Sequence, residues 1–365
     1  MRDSKHELSS QESIGPFMKN GVTIRDIAKQ AGVSIGTASN VLSGKPGPAP
    51  PTRDRVLKAA ADLHFTPNAL IRSLQTGKTS TIGLFTWRIA AEGESSITAR
   101  ILHGVSSALD EMGYDLLLYG RHPHEGEVPA GFFLDGRIDG LITAPGGPNE
   151  AALEALAAHK LPTIALYQSP DIPGIGTVNI DNVGGVLATV EHLVERGHHR
   201  IGFIAPSYTY DYQQRVAGYK AGLAENGIPQ DLHLVLDWTG AATDAVPQIV
   251  DRMSVSREPM TALIAGDDNI ALAILTELRR QGIHPPDRLS LAGFDDLVTA
   301  CASQGLTTVR QPAASVGRTA VALLRDLIDG APASNCHITL PVERVIRTTT
   351  AAPSLSGASA KVIAR

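Results

Sequence analysis

Aromatic residues make up only 4% of the 365 positions, and two of them are tryptophan, Trp87 and Trp238. A core with so few rings must rest on aliphatic packing, which makes the place of each Trp informative. Cysteine is scarcer still. Cys301 and Cys336 have neither metal-ligand nor CxxC spacing, which argues against a disulfide framework and fits a reducing, cytoplasmic setting. No run of eighteen or more apolar residues occurs, so a membrane-spanning helix is excluded. The first eighteen residues lack an apolar stretch and read as part of a flexible leader over 1–20, not as a secretory signal. Gly-rich nucleotide loops, nucleophile–base pairs and metal-ligand sets are missing too, so no cofactor, metal or enzymatic activity is expected. The adjacent His198-His199 reads as a helix–strand turn, and His122-Pro-His124 as a surface loop.

What is present is unevenly charged. Residues 19–78 carry nine Lys/Arg against three Asp, a net +6, while residues 79–365 carry −10 of the overall −5. A basic front on an acidic body points to a polyanion-binding module joined to something else.

The front has helical punctuation. Thr23 stands where an N-cap belongs, with Asp26 three residues on, and Ile24, Ile27, Ala28 and Ala31 recur at i, i+3, i+4, i+7. Gly32 reverses the chain and Ser34 is placed to cap a second helix. In that helix Ala38, Val41 and Leu42 face inward, leaving Ile35, Gly36, Thr37, Ser39 and Asn40 outside. A third helix contributes Val56, Leu57, Ala60 and Leu63 to the core. Two short helices with a Gly-containing turn form a helix-turn-helix, whose second helix enters a DNA major groove. Asn40 suits adenine, Thr37 a thymine methyl or a phosphate, and Ser34 and Ser39 phosphates. An ordinary helical hairpin with a solvated polar face is the alternative. Beyond it, Thr66 and Pro67 open a helix of about two turns, too short to persist without a partner.

At this point the chain resembles the LacI/GalR family of bacterial repressors. The motifs VTIRDIAKQAGVSIGTASNVLSG and TRDRVLKAAADLHFTPNALIRSLQTGKTSTIGLF carry the likeness, without a gap from Val22 to Leu74. The resemblance implies a DNA-binding set of Thr23, Ser34, Ile35, Gly36, Thr37, Ser39 and Asn40. It adds Asn68, Arg72, Leu74 and Gln75 from a hinge helix, with Leu74 wedged into the minor groove. Gly36 offers no side chain where some relatives place a base reader, and Ala49 stands where a capping Ser often precedes the third helix.

In the body, short apolar runs at 82–87, 115–119, 140–143, 163–167, 200–205, 261–265 and 289–294 alternate with helical patterns. The helices are expected near 97–112, 149–159, 184–196, 212–226, 242–253 and 269–281. Such alternation argues for parallel sheets with right-handed crossovers, and ligands at the carboxyl ends of strands. Gly-Phe-Asp-Asp at 293–296 ends one strand, turning Asp295 and Asp296 toward any cleft, although loop-capping aspartates are the plainer reading. Asp267-Asp268-Asn269 could likewise cap a helix.

The family resemblance extends over 80–349, through IDNVGGVLATVEHLVERGHHRIGFIAP, RVAGYKAGLAENGI, IAGDDNIALAILTELRRQGI, LSLAGFDD and LTTVRQP. It implies an N-terminal all-α helix-turn-helix DNA-binding domain (21–65), a hinge helix and linker (66–79), and an α/β periplasmic-binding-protein-like effector and dimerisation domain (80–349). The last would comprise two doubly wound parallel-sheet subdomains, 80–179 with 310–340 and 180–309 with 341–349, crossing near Ile180, Val309 and Leu340. A flexible tail is expected over 350–365, without the leucine heptads that make some relatives tetramers. Carried over by position, Trp87, Arg88, Tyr167, Arg215, Trp238, Asp267 and Asp295 would bind the effector, with Trp238 either stacking on a sugar face or packing in the core. The partners implied are operator DNA, a second copy of the chain and a small molecule, most simply a carbohydrate. Rival readings, a sugar-metabolising enzyme or a transport binding module, leave the basic front unexplained.

Overall fold

The computed structural model describes residues 22–43, 47–65, 77–86, 97–120, 128–144, 147–169, 172–206, 209–254 and 259–354. The chain divides into two compact units between Thr79 and Ser80.

Among the described residues of the first unit there are three helices: α1 (Ile24–Ala31), α2 (Ile35–Leu42) and α3 (Pro50–Asp62). Thr23 donates to Asp26 Oδ2 through both its backbone N (2.9 Å) and its hydroxyl (2.7 Å), which fixes the start of α1. Gly32 takes the left-handed conformation (φ 65°) that ends α1, and the Val33 amide closes back on the Ala28 carbonyl at 3.0 Å. Ser34 Oγ then accepts from the Thr37 amide at 3.1 Å to open α2. Ile27, Ala28, Ala31, Ala38, Val41, Val56, Ala59 and Ala60 are buried between the helices. Leu57 does not join them. It is 47% exposed, because the face of α3 that packs inward runs Val56, Ala59, Ala60, and Leu57 lies a quarter turn off it.

The second unit holds two parallel sheets. The larger is ordered β11-β5-β4-β3-β1-β2, from β1 (Thr81–Phe85), β2 (Asp115–Tyr119), β3 (Gly140–Thr143), β4 (Thr163–Leu166), β5 (Ile175–Ile180) and β11 (His337–Leu340). The smaller is ordered β7-β6-β8-β9, from β6 (Ile201–Ala205), β7 (Val235–Asp237), β8 (Ala262–Ala265) and β9 (Ser290–Ala292). An antiparallel pair, β10 (Thr308–Arg310) with β12 (Glu343–Val345), completes the strands among the described residues. The run expected over 82–87 ends as a strand at Phe85, and β5, β7, β10, β11 and β12 are additions to the runs expected from sequence.

Helices α4 (Ile97–Met112), α5 (Glu150–Ala158), α6 (Asn182–Glu195), α7 (Tyr210–Glu225), α8 (Ala242–Ser254) and α9 (Asp268–Arg280) fall close to the expected segments. Two more are α10 (Val298–Gln304) and α11 (Ala313–Ile328). The α4 and α11 backbones touch through glycines. A Cβ on Gly104 would lie 2.0 Å from the Ala314 carbonyl oxygen, and one on Gly317 2.4 Å from that of Ile101. Val105, Ile101, Val316 and Ala320 close the seam as buried neighbours.

Where a flexible tail is expected from 350, Thr350 is buried, and Thr350 and Ala351 are bonded to the body. His192 Nε2 and Thr350 Oγ1 are 2.9 Å apart, His198 Nε2 is 2.7 Å from the Ala351 carbonyl, and the Ala351 amide donates to Ser290 Oγ at 3.1 Å. Among the described residues, no helix is long and apolar enough to cross a membrane.

Candidate functional site

The exposed face of α2 carries Ile35, Gly36 and Asn40, with Thr37 and Ser39 half-buried beside them. Ile35, 49% exposed, is a bare apolar side chain in the first turn. Thr37 Oγ1 lies 2.9 Å from Ser34 Oγ, so the two hydroxyls serve each other and the cap. A Cβ on Gly36 would meet nothing nearer than Ser34 Oγ at 3.8 Å, so the gap in the polar face is open space. Thr23 is committed to Asp26, a structural role at the start of α1. Asn68, Arg72, Leu74 and Gln75 lie outside the described residues, as do Trp87 and Arg88.

In the second unit, one buried guanidinium organises a cluster at the carboxyl ends of the strands. Arg215, on α7 after β6, donates through Nε to Asn182 Oδ1 at 2.8 Å and through Nη1 to the Gly266 carbonyl at 2.6 Å. Its Nη2 lies 3.5 Å from Asp295 Oδ1, and its plane sits 3.9 Å over the Phe294 ring. Asp267, after β8, caps α9 by accepting from the Ile270 amide at 2.8 Å. Its other oxygen takes a short hydrogen bond from the Tyr212 hydroxyl. Asp267 thus caps α9 with one oxygen while the other is occupied by Tyr212. Asn182 also donates to Asp211 Oδ1 at 3.1 Å, and Gln311 Nε2 to Asp295 Oδ1 at 2.6 Å.

Burial dominates the electrostatics. It pushes Asp211 up to about 6 and Asp295 well above the ordinary carboxylate range, with Arg215 opposing in both cases. Asp267 and Asp268 add to the rise at Asp295. Burial also works against the charge on Arg215, but Asp295, Asp211 and Asp267 outweigh it and hold the guanidinium protonated. Tyr212 is raised by burial and by Asp267 at its hydroxyl, so it stays a donor. The cluster thus offers carboxylate acceptors around a cation whose donors are largely spoken for. It can receive ligand hydroxyls; it holds no base poised over a nucleophile.

The structure brings Arg215, Asp267 and Asp295 together as the sequence implied. Tyr167 is adjacent but buried to 4% exposure, its hydroxyl donated to Gln311 at 2.7 Å. Trp238 is half-buried against the aliphatic core under the smaller sheet, its amide on the Ala205 carbonyl at 3.2 Å. Asp296 does not face the cluster. Its carboxylate is enclosed by Arg310 and Arg347. Sequence reasoning passed over Asp211, Tyr212, Asn182 and Gln311. The signal for the first two was their spacing from Arg215 along one helix face; for Asn182 and Gln311 it was only their place just after β5 and β10. Among the described residues, no group of three or more His, Cys, Asp or Glu is placed to hold a metal.

Comparisons with known proteins agree at both ends of the chain. Residues 23–68 match the family model described as bacterial regulatory proteins, lacI family, and residues 190–350 match a periplasmic binding protein-like domain. The HTH-type transcriptional repressor PurR of Aliivibrio salmonicida (strain LFI1238) is 30% identical over 316 residues, covering 84% of this chain and 92% of that protein. Among solved structures, the lac repressor dimer bound to operator and the anti-inducer ONPF aligns with a TM-score of 0.76. Its identity is 25%, over 91% of this chain and all of that one. A complex of the transcriptional regulator CelR with cellobiose aligns with a TM-score of 0.64 and 27% identity, over 90% of this chain and all of that one. From its helix-turn-helix to its paired parallel sheets, this chain belongs to the LacI family of transcription regulators, whose members are regulators and not enzymes.

Proposed function

We propose that this protein is a cytoplasmic repressor that binds a pseudo-palindromic operator as a homodimer and is controlled by a saccharide held at the Arg215–Asp267–Asp295 cluster. The observation that carries the reading is the cluster itself. A guanidinium anchored by Asn182, Gly266 and Asp295 stands among carboxylates at strand ends, on the same chain as a capped, outward-facing α2. Carboxylates accept from the hydroxyls of a sugar, and Trp238, half-buried just after β7, is the aromatic side chain on which a sugar face would stack. The relatives support each half: one is a dimer bound to operator, another holds cellobiose.

On the DNA side, Asn40 reads adenine, Ile35 and the Thr37 methyl contact thymine, and Ser34 and Ser39 set register on phosphates. Asn68, Arg72, Leu74 and Gln75 engage the centre of the site from the hinge, where Leu74 opens a base step. Effector occupancy changes the angle between the two sheets and with it the hold on DNA, a coupling of a few kcal/mol.

A thermal-shift screen of neutral sugars, nucleosides and sugar phosphates tests the first half, because a ligand that binds only the folded state raises the melting temperature. Binding of the purified protein to its own promoter region, at about 50 and 200 mM salt with and without the hit, tests the second. A steep salt dependence and a change in affinity with the hit are expected. Promoter DNA left unbound at low salt under every condition would sink the repressor reading.

A further inference from the structure

Gln311 is 2% exposed, and both ends of its amide are used. Its Oε1 accepts from the Tyr167 hydroxyl at 2.7 Å, and its Nε2 donates to Asp295 Oδ1 at 2.6 Å. The three residues come from three parts of the fold. Tyr167 follows β4 in the larger sheet, Asp295 follows β9 in the smaller, and Gln311 follows β10. Their backbones are tied as well: the Asp295 amide donates to the Val309 carbonyl at 2.7 Å, and the Tyr167 amide to that of Val178 at 3.1 Å.

Two of the three sit in backbone conformations that non-glycine residues avoid, Tyr167 at φ 54° and Asp295 at φ 122°. Such conformations cost on the order of 1–3 kcal/mol each and persist only where surrounding contacts enforce them. As placed, the phenol donates to the amide oxygen and the amide nitrogen donates to the Asp295 carboxyl.

We infer that Gln311 is a positioning residue: it holds the Asp295 carboxyl in orientation for the ligand and, through Tyr167, ties that orientation to the angle between the two sheets. The inference rests on the cluster being the effector site, and it deepens that reading by naming how occupancy is transmitted. A ligand hydroxyl donated to Asp295 competes with or reinforces the Gln311 amide, and the change is felt at the end of β4 in the other sheet.

The charged groups facing Asp295 set what the relay must work against. From α7, Arg215 attracts at 3.5 Å. From the start of α9, Asp267 and Asp268 repel, and burial favours the protonated form. Around Tyr167, Asp211 and Asp295 oppose ionisation, while Arg215 and Arg100 favour it; burial keeps the phenol protonated and donating. Removing the Gln311 donor therefore takes away one of the few groups that favour the ionised form of Asp295.

The test needs no effector, so its failure is distinct from a blank in the saccharide screen. In the full-length chain labelled with carboxyl-13C aspartate, the Asp295 titration is followed by NMR, its signal assigned by loss in Asp295→Asn. Gln311→Met keeps the length of the side chain and lacks the donor; its Asp295 midpoint is expected to rise by about one pH unit, a tenfold change. Tyr167→Phe keeps the ring and frees the amide; a smaller rise in the same direction is expected, and this variant carries the test if Gln311→Met does not fold. In Tyr167→Phe, amide exchange at Asp295 should also speed about tenfold, while that of the buried strand β8 stays unchanged. An Asp295 midpoint that stays put or falls in the folded variant would overturn the positioning role. Unchanged exchange at Asp295 in Tyr167→Phe would overturn the link between the sheets.

Discussion

Arg347 Nη2 donates to Asp296 Oδ1 at 2.7 Å, inside a turn where the carboxylate is fully buried. Arg310 Nε takes the second oxygen at 2.8 Å. Burial alone would raise Asp296, but the two guanidiniums outweigh it and hold its carboxyl below the usual range. A folded-state value below the unfolded one gives stability that is present above the unfolded pKa and is lost as pH falls through the folded one. Arg347→Ala strips one partner from a buried charge, and about 3 kcal/mol of stability should go with it at neutral pH, at the low end for a broken buried pair because Arg310 remains. The exposed Arg137–Asp135 pair, with side chains 50% and 39% exposed, is the control. Arg137→Ala should change stability by less than about 1 kcal/mol. Urea unfolding at pH 7 separates the two, and equal losses would show that burial is not what matters.

A second prediction concerns acid. His192 Nδ1 faces the Arg196 guanidinium at 2.9 Å, and since Arg can only donate, Nε2 carries the proton toward Thr350. Burial, with Arg196 and Arg344 adding to it, lowers His192 from 6.5 to about 4. The unfolded chain then binds the proton that the folded chain refuses, so the stability contributed by neutral His192 is complete above pH 6.5 and drains between 6.5 and about 4. Asp211 and Asp268, both raised to about 6 by burial, act in the opposite sense, since the folded state holds their protons more tightly. The comparison must therefore be with His192→Gln. The melting temperature of the wild type should exceed that of the variant most at pH 7.5, and the gap should close toward pH 4.5. A constant gap would mean that packing and not protonation is what His192 contributes.

The parts of this fold that could be read in the sequence are those decided locally. Thr23, Gly32 and Ser34 punctuate α1 and α2 through contacts within three or four residues, and the apolar stripe of α1 follows from 3.6-residue spacing. Where two apolar residues adjoin, as at Val56 and Leu57, spacing cannot say which turns inward; packing chose Val56 and the small Ala59. The α11 helix is harder to see because Gly317 interrupts it, and the reason for that glycine lies some 200 residues away, against Ile101. Arg215 was legible through family resemblance alone, whereas Asp267 and Asp295 also stood out as acidic residues at strand ends. Asn182, Tyr212 and Gln311 were not, because what gives them a role is a partner 33, 55 and 16 residues distant. Asp295 and Asp296 are neighbours of one type, and only the backbone angles of 122° and 52° send one to the cluster and the other to Arg310.

The reading face of α2 yields a prediction of opposite signs. Asn40 is exposed and suited to pair with adenine, so Asn40→Ala should weaken operator binding by about 1–3 kcal/mol and relax preference at one base pair. Gly36 has room for a methyl and costs backbone entropy in a helix, so Gly36→Ala should stabilise the first unit by up to about 1 kcal/mol. Because Gly36 presents no side chain to a base, operator affinity should not fall. Paired titrations on selected operator variants check both. Loss of affinity in Gly36→Ala would show that close approach of the backbone, and not a missing reader, is what glycine provides there.

The last prediction turns on why residue 215 is arginine. One planar fork meets Asn182 Oδ1, the Gly266 carbonyl and Asp295 in three directions while lying on Phe294. Lysine in Arg215→Lys keeps the charge but offers a single ammonium, which cannot reach all three and does not stack in the same way. At least one buried acceptor is then left unpaired at about 1–3 kcal/mol, and Asp295 loses its closest cation. Arg215→Lys should thus fold less stably, by roughly 2–4 kcal/mol. It should also lose the thermal shift given by any saccharide that shifts the wild type. The face of α2 proposed to read operator lies in the other unit, so DNA binding without saccharide should survive below the melting temperature of the variant. A variant that keeps its full saccharide response would mean that charge alone suffices at residue 215, and that the fork serves the fold without serving the ligand.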